Sequence, residues 1–318
     1  MSRLQEGLPR IVCVIGPTGS GKNSLALRIS EVFPLEIINF DSRQVYSDLP
    51  IITAQPSQRE KKLCPHHLYG FLGLNEKINA GRFTDMARQA VTKVSARGRI
   101  PFLVGGTGLY LRSLIYGLAD IPNVPENIQN ELENECRAAG IQSLHERLRE
   151  VDPGYSRTIT SKDRHKIIRA LGVYMASGKP FSRWHLEQNK TPFYNALKLG
   201  IHWELDQLTP VLEKRISIMI RNGAVEEVEK AWQKSGYDPL CPAFSGIGCR
   251  ELISCIQGKT DLKQSVDLWL KNTRAYAKRQ LTWFRNEPGI AWVGPEDTVK
   301  GVDLVEKFLE KSGSKART

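Results

Sequence analysis

The segment Gly16-Pro-Thr-Gly-Ser-Gly-Lys22 constrains this chain more than any other. It sits between a β-branched run, Arg10–Ile15, and a stretch with helical spacing, Ser24–Phe33, in which Leu25, Ile29 and Val32 share a face. Glycines in such a loop let the backbone turn tightly and aim its N–H groups inward. The helix that follows adds its positive end. Strand, glycine-rich loop and helix in that order make a phosphate-binding P-loop. Gly16, Pro17, Thr18, Gly19, Ser20 and Gly21 are expected to surround the anion, with Lys22 as a point charge for its outer oxygens and Asn23 closing the set. At position 23 a Ser or Thr hydroxyl would normally bind Mg²⁺ with the phosphates. A carboxamide oxygen is an acceptable hard ligand, but it is longer and does not take the same place. Ser24 lies about 100° further round the helix and does not replace the hydroxyl. Standard NTP hydrolysis is therefore disfavoured.

The rest of the first third alternates strands and helices. Leu35–Phe40 reads as a strand ending at Asp41, and Ile100–Val104 as another ending at Gly105-Gly106. Thr84–Ala96 reads as a helix with Met86, Ala90, Val91 and Val94 inward. Strand–helix–strand order argues for an α/β fold, a parallel sheet with helices on both faces. Ligands in such sheets sit beyond the carboxyl ends of the strands. The segments Gly16–Lys22, Asp41–Tyr46 and Gly105–Tyr110 are thus expected to converge on one site. Beyond residue 118 the texture changes. Pro122, Pro125 and Pro153 punctuate helical patterns over 126–139, 142–151 and 163–176, the last with Ile167, Ile168, Leu171 and Met175 inward. This predicts an all-helical insertion over 119–196, within a core made of 1–118 and 197–318. Lys198–Leu205 reads as a strand rejoining the sheet and Ile290–Val293 as a last strand, with helices over most of 210–285. The tail from Lys311 reads as frayed.

At 318 residues the chain has room for about two domains, or one domain carrying an insertion. Hydrophobic residues at 41 % and charged residues at 25 % are near globular averages, which excludes wholesale disorder. No apolar run approaches the roughly 18 residues of a membrane span, and Met1–Arg10 lacks the apolar region of a secretory signal. The 6 cysteines have no paired spacing, so neither a zinc site nor a disulfide framework is suggested, and a reducing cytoplasm fits. His66 and His67 stand near Cys64 without a fourth ligand at suitable spacing, which favours a structural role near the site. The excess of 45 Lys and Arg over 34 Asp and Glu, a formal +11, suits either a protein that holds polyanions or a merely basic enzyme. Asp41, at a strand end, can be a general base, a metal ligand through water, or the cap of a helix starting at Ser42. Over 267–285, Lys271, Arg274, Lys278 and Arg285 form one stripe, with Trp269, Tyr276 and Trp283 on the opposite side. That stripe is either a face for phosphates with the aromatics packed inward, or a solvated surface. A monomer is the default expectation.

Five motifs in order carry a resemblance. Gly16-Pro-Thr-Gly-Ser-Gly-Lys22, Asp41-Ser-Arg-Gln-Val-Tyr46, His67-Leu68, Gly105-Gly-Thr107-Gly-Leu-Tyr110 and Lys278-Arg-Gln280-Leu-Thr-Trp283 together resemble the bacterial tRNA dimethylallyltransferase family, the isopentenyl transferases. The resemblance runs from residue 11 to residue 293. It implies a P-loop NTPase-like parallel sheet with flanking helices and the inserted helical domain. It also implies transfer of a dimethylallyl group from dimethylallyl diphosphate to N6 of the adenosine beside the anticodon, with diphosphate leaving and Mg²⁺ as cofactor. The implied partner is the tRNA anticodon stem-loop, with no membrane and no obligate protein partner. Displacement at carbon needs no water activated against phosphorus, so Asn23 harms this chemistry less than it would harm a kinase.

By the same resemblance Asp41 accepts the amine proton, Thr107 touches the substrate and Arg215 binds the diphosphate. Asp41, Ser42, Arg43, Gln44 and Thr107 lie by the extruded base and its neighbours. Further tRNA contacts fall at Gln129, at His165, Lys166, Ile167, Ile168 and Arg169, at Ser245, Gly246, Ile247, Gly248, Cys249 and Arg250, and at Lys278. Three other readings stand beside it: a prenyl transferase acting on free adenine nucleotides, a P-loop small-molecule kinase, and a non-catalytic RNA-binding ATPase.

Overall fold

The structure, a computed structural model, describes residues 7–188 and 191–310. The tail expected to fray from Lys311 lies outside the described residues. The chain divides into two compact units, Met1–Ile115 with Pro192–Thr318, and Tyr116–Thr191.

The first unit is built on six strands: β1 (Arg10–Ile15), β2 (Leu35–Asn39), β3 (His66–His67), β4 (Ile100–Gly105), β5 (Asn195–Ile201) and β6 (Ile290–Val293). They lie in the order β3-β2-β4-β1-β5-β6, and each neighbouring pair is parallel. Parallel neighbours cannot be joined by a tight turn, so helices make the crossovers. Both faces of the sheet are then covered, which is why β1 reads as a near-continuous apolar run. Val12, Val14, Leu25, Ile29, Phe102 and Leu199 belong to one buried cluster of this unit. Val45, Leu49, Phe244, Leu252 and Trp269 belong to another. Because β2, β4 and β1 are adjacent and parallel, with Asn39 opposite Val104 and Ile15 opposite Gly105, their following loops emerge along one edge.

Several features differ from the sequence reading. The helix expected over Ser24–Phe33 runs over Lys22–Ser30, so Val32, expected on its inner face with Leu25 and Ile29, lies past its end and is 60 % exposed. The strand expected over 198–205 runs over Asn195–Ile201 instead. It follows β1 from Arg10↔Asn195 to Ile15↔Gly200, and β1 ends where the phosphate loop begins. Trp203 therefore lies beyond the strand, and its indole N–H donates to the Ser20 carbonyl (3.3 Å). The helix expected from Thr84 starts at Ala80, with the Asn79 side chain accepting the Arg82 N–H as its cap. Its buried face is Phe83, Thr84, Ala87, Val91 and Val94, which leaves Met86 and Ala90 half-buried. The edge strand β3 has only two residues, both histidine, too short for any periodicity to show.

The second unit is helical throughout its described regular elements. Glu126–Val151 is broken at Gly140 (φ 81°, ψ 164°) into two helical pieces. Arg164–Ser177 packs with it around Leu132, Leu144, Leu148, Ile167, Leu171 and Phe181. The chain leaves the first unit after Ile115 and re-enters it at Pro192, and the next residue, Phe193, donates its N–H to the Ile115 carbonyl (2.8 Å). No described helix is long and apolar enough to cross a membrane.

Candidate active site

A cavity of about 470 Å³ opens in the first unit where the three loops meet. Thr18, Gly19, Ser20, Gly21, Lys22 and Asn23 line it, as do Asp41, Ser42, Arg43, Gln44, Thr107 and Arg215. The segments leaving β1, β2 and β4 thus share one space, with Arg215 added from the helix Leu205–Arg221.

Gly19 (φ 78°) and Gly21 (φ 87°) hold left-handed backbone conformations that other residues resist. They fold the loop so that the helix Lys22–Ser30 presents its open end, where the first N–H groups have no intrahelical partner. Two loop amides are already engaged. The Ser20 N–H donates to the Pro17 carbonyl (3.2 Å) and the Thr18 N–H to Gln280 Oε1 (2.8 Å). Lys22 Nζ folds back over the loop and donates to the carbonyls of Pro17 (2.7 Å) and Gly16 (3.1 Å). Burial pulls its ammonium down to about 8; the Asp41 carboxylate opposes that and the Arg215 charge adds to it. Burial likewise lowers Arg215, again opposed by Asp41. Two cations crowded together at a helix N-terminus are relieved by an anion.

Asn23 turns to other partners. Its amide Nδ2 donates to Glu60 Oε1 (2.9 Å), and its Oδ1 stands 3.2 Å from His66 Nε2. His67 Nε2 meets Glu36 Oε2 at 2.6 Å, so both histidines serve packing and hydrogen bonding. Among the described residues, no group of three or more His, Cys, Asp or Glu could hold a metal ion.

The acid is held by the residue at the end of β2. Asn39 is fully buried; its Oδ1 accepts the Asp41 N–H (2.7 Å), and its Nδ2 donates to the carbonyls of Leu68 (2.8 Å) and Asp41 (3.1 Å). Asp41 Oδ1 in turn accepts the Arg43 N–H (2.8 Å). No helix begins at Ser42, so Asp41 anchors a side-chain turn and caps nothing helical. The Ser42 N–H donates to Thr107 Oγ1 (3.1 Å), which ties the acid-bearing loop to the loop after β4. Asp41 is the only acidic side chain lining the cavity among the described residues.

The residues expected to meet RNA divide by exposure. Arg43 donates to the Ser245 hydroxyl, and Gln44 Nε2 donates to the Ala54 carbonyl (2.6 Å). Gly246 and Ile247 also line the cavity, and exposed Arg250 lines an adjoining groove with Arg279. Gly248 and Cys249 are buried, the latter in the hydrophobic core. In the second unit Gln129, His165 and Lys166 are exposed, Ile167 and Ile168 are buried in that unit's core, and Arg169 donates to the Pro122 carbonyl (3.4 Å).

On the helix Leu262–Arg285, Lys271 and Lys278 are exposed, while Arg274 pairs with Asp206 (2.7 Å). The aromatic stripe expected to pack inward does not act as one. Trp269 is buried and Tyr276 lines the cavity, but Trp283 is 41 % exposed, with the Arg112 guanidinium 5.5 Å from its ring centre. The helix passes from the core to the surface along its length, so a seven-residue repeat does not stay on one environment.

Four residues of this site escaped the sequence reading: Asn39, Tyr69, Arg279 and Gln280. Tyr69 directly follows the His67-Leu68 pair and lines the cavity, its hydroxyl pushed up by burial. Gln280 lay inside a recognised motif without an assigned role.

Comparison with known proteins agrees with this geometry. The IPP transferase family profile matches residues 44–287. A tRNA dimethylallyltransferase of Maridesulfovibrio salexigens is 48 % identical over 94 % of this chain and 97 % of its own. One from Oleidesulfovibrio alaskensis is 46 % identical over 95 % and 99 %. The crystal structure of a full-length tRNA isopentenylpyrophosphate transferase from Bacillus halodurans superposes with a TM-score of 0.71 at 29 % identity, covering 97 % of this chain and 99 % of that one. A eukaryotic dimethylallyltransferase acting on tRNA superposes at 0.82 with 25 % identity, over 95 % and 80 %. With a family profile that matches most of the chain and relatives at 46–48 % identity along nearly its whole length, the chain belongs to the IPP transferase family.

Proposed function

We propose that the protein transfers a dimethylallyl group from dimethylallyl diphosphate to N6 of the adenosine beside the anticodon of a tRNA, releasing diphosphate. The observation that carries this reading is one cavity lined both by an anion cradle and by a lone carboxylate. In the displacement, N6 forms a bond to the allylic carbon while that carbon's bond to the diphosphate oxygen breaks. Charge grows on the departing diphosphate, where Lys22, Arg215 and the open amides of the helix Lys22–Ser30 stabilise it. The adenine amine is a poor nucleophile until it loses a proton, and the Asp41 carboxylate takes that proton. Thr107, fixed by the Ser42 N–H, lines the same cavity and contacts the substrate beside the acid.

A Mg²⁺ ion fits this site as a companion of the diphosphate. Such ions are typically held by one or two carboxylates plus substrate phosphates. Asp41, kept free as the base, would meet the ion only through a bound water, and the Ser20 hydroxyl, buried with no hydrogen-bond partner among the described residues, would be its direct side-chain ligand. Asn23 is unsuited, because its amide is held by Glu60 and His66. When bound, the ion would offset leaving-group charge.

The adenine reaches an acid on the cavity wall only if it leaves its stack. Ser42, Arg43 and Gln44 receive it, and Ser245, Gly246, Ile247, Arg250 and Lys278 follow the strand. Gln129, His165, Lys166 and Arg169 contact tRNA from the second unit. Gly248, Cys249, Ile167 and Ile168 contribute by packing beneath those contacts.

Incubation with dimethylallyl diphosphate and either tRNA or AMP tests the reading. Prenylated tRNA is expected; prenylated AMP, or ATP turnover without prenylation, overturns it. Lys278→Ala is expected to weaken tRNA binding and to lower the slope of log affinity against log salt by about one. An unchanged slope removes that helix from the RNA.

A further inference from the structure

We infer that Gln280 is a positioning residue of the transfer reaction, its carboxamide holding the phosphate loop and the Gly105–Thr107 loop at a fixed separation. The inference rests on the reaction proposed above. Gln280 lies on the helix Leu262–Arg285 and is 5 % exposed. Its Oε1 accepts the Thr18 N–H (2.8 Å), and its Nε2 donates to the Gly106 carbonyl (2.9 Å). The fit is close, since a Cβ on residue 106 would stand 2.2 Å from Nε2. The residue is absent from the cavity wall, so it acts through others.

The need for such a clamp follows from the sheet. β1 and β4 are paired only as far as Ile15↔Gly105. Beyond that register no strand pairing fixes the spacing of the two loops. One loop leads into Lys22 and the open helix end that hold the leaving group. The other carries Thr107, which is bonded to the loop bearing Asp41. The line Thr18–Gln280–Gly106–Thr107–Ser42 therefore runs from anion cradle to acid. The separation of those two groups decides whether the bound diphosphate ester and the amine are in line, and misplacement of about 1 Å costs on the order of 10²-fold. The clamp also explains why this side chain is an amide: it must offer one donor and one acceptor at once.

A protonated carboxyl offers the same pair, and this makes the idea testable. In Gln280→Glu, the carboxylate keeps the acceptor for Thr18 but sets a second oxygen against the Gly106 carbonyl. Burial raises the pKa of such a group. At pH 8, kcat is expected to fall about 10- to 100-fold, with the KM for tRNA unchanged. As pH is lowered, the ratio of variant to wild-type kcat should climb, because the acid form restores both bonds. Gln280→Met should lose a similar factor with no recovery in acid. Gly106→Ala, which strikes the clamp from its other side, should lower kcat as well, so a poorly folding Gln280 variant does not end the test. A Gln280→Glu enzyme with wild-type kcat at pH 8, a ratio flat with pH, or an unimpaired Gly106→Ala enzyme overturns the positioning role. Wild-type protein that prenylates no tRNA would instead sink the proposed reaction, which keeps the two failures distinct.

Discussion

Replacing Asp41 by Ala is expected to cut turnover by about 10²- to 10⁴-fold while tRNA affinity stays nearly unchanged. The size follows from the solitude of the carboxylate. No other acidic side chain among the described residues lines the cavity, so no neighbour inherits the proton. The turn should survive the change, because Asn39 holds residue 41 through its backbone N–H and carbonyl. What the Ala variant does lose, besides the base, is the acceptor for the Arg43 N–H. Asp41→Asn restores that acceptor without basicity. Single-turnover prenylation and filter binding on both variants separate the two roles. Equal, large losses of turnover with normal binding identify the base. A parallel collapse of tRNA binding would make Asp41 a structural anchor.

Lys22→Met should lower kcat by about 10²- to 10³-fold, the loss typical of one oriented donor to developing negative charge. A rise in KM for the diphosphate substrate should accompany it. The wild-type enzyme carries a second signature. Burial pulls its lysine ammonium from the ordinary 10.5 down to about 8. Between those values the free enzyme has given up a proton that the charged, anion-binding form requires. The kcat/KM for dimethylallyl diphosphate should therefore fall about tenfold per pH unit above 8, and the Met variant should lack that fall. A Met variant with wild-type kcat and wild-type KM for the diphosphate substrate would remove Lys22 from the diphosphate.

The sheet was legible where an apolar run ends in a residue with a reason to stop. Arg10–Ile15 ends at Gly16 and Ile290–Val293 at Gly294, and both strands match the structure. The strand Asn195–Ile201 was misplaced because its limits come from its partner β1, and a single sequence shows no pairing. At the site, the glycine loop announced itself through spacing and Asp41 through its place at a strand end, whereas Thr107 was singled out only by the family resemblance. Asn39 and Gln280 did not announce themselves, because a buried amide is recognisable only by the two backbone groups it joins. Trp283 was misjudged for a related reason: periodicity assigns a side chain to a face but does not say where along the helix the core ends.

The hydrogen bond from Phe193 to Ile115 has a consequence for how such a protein can vary. The excursion Tyr116–Thr191 begins and ends at one stapled doorway on its parent unit. Lengthening or shortening a segment whose endpoints are already fastened changes closure entropy only logarithmically, about 0.6 kcal/mol per doubling. The helical module can thus be remodelled while the parent sheet keeps its register, so the two units are free to drift at separate rates.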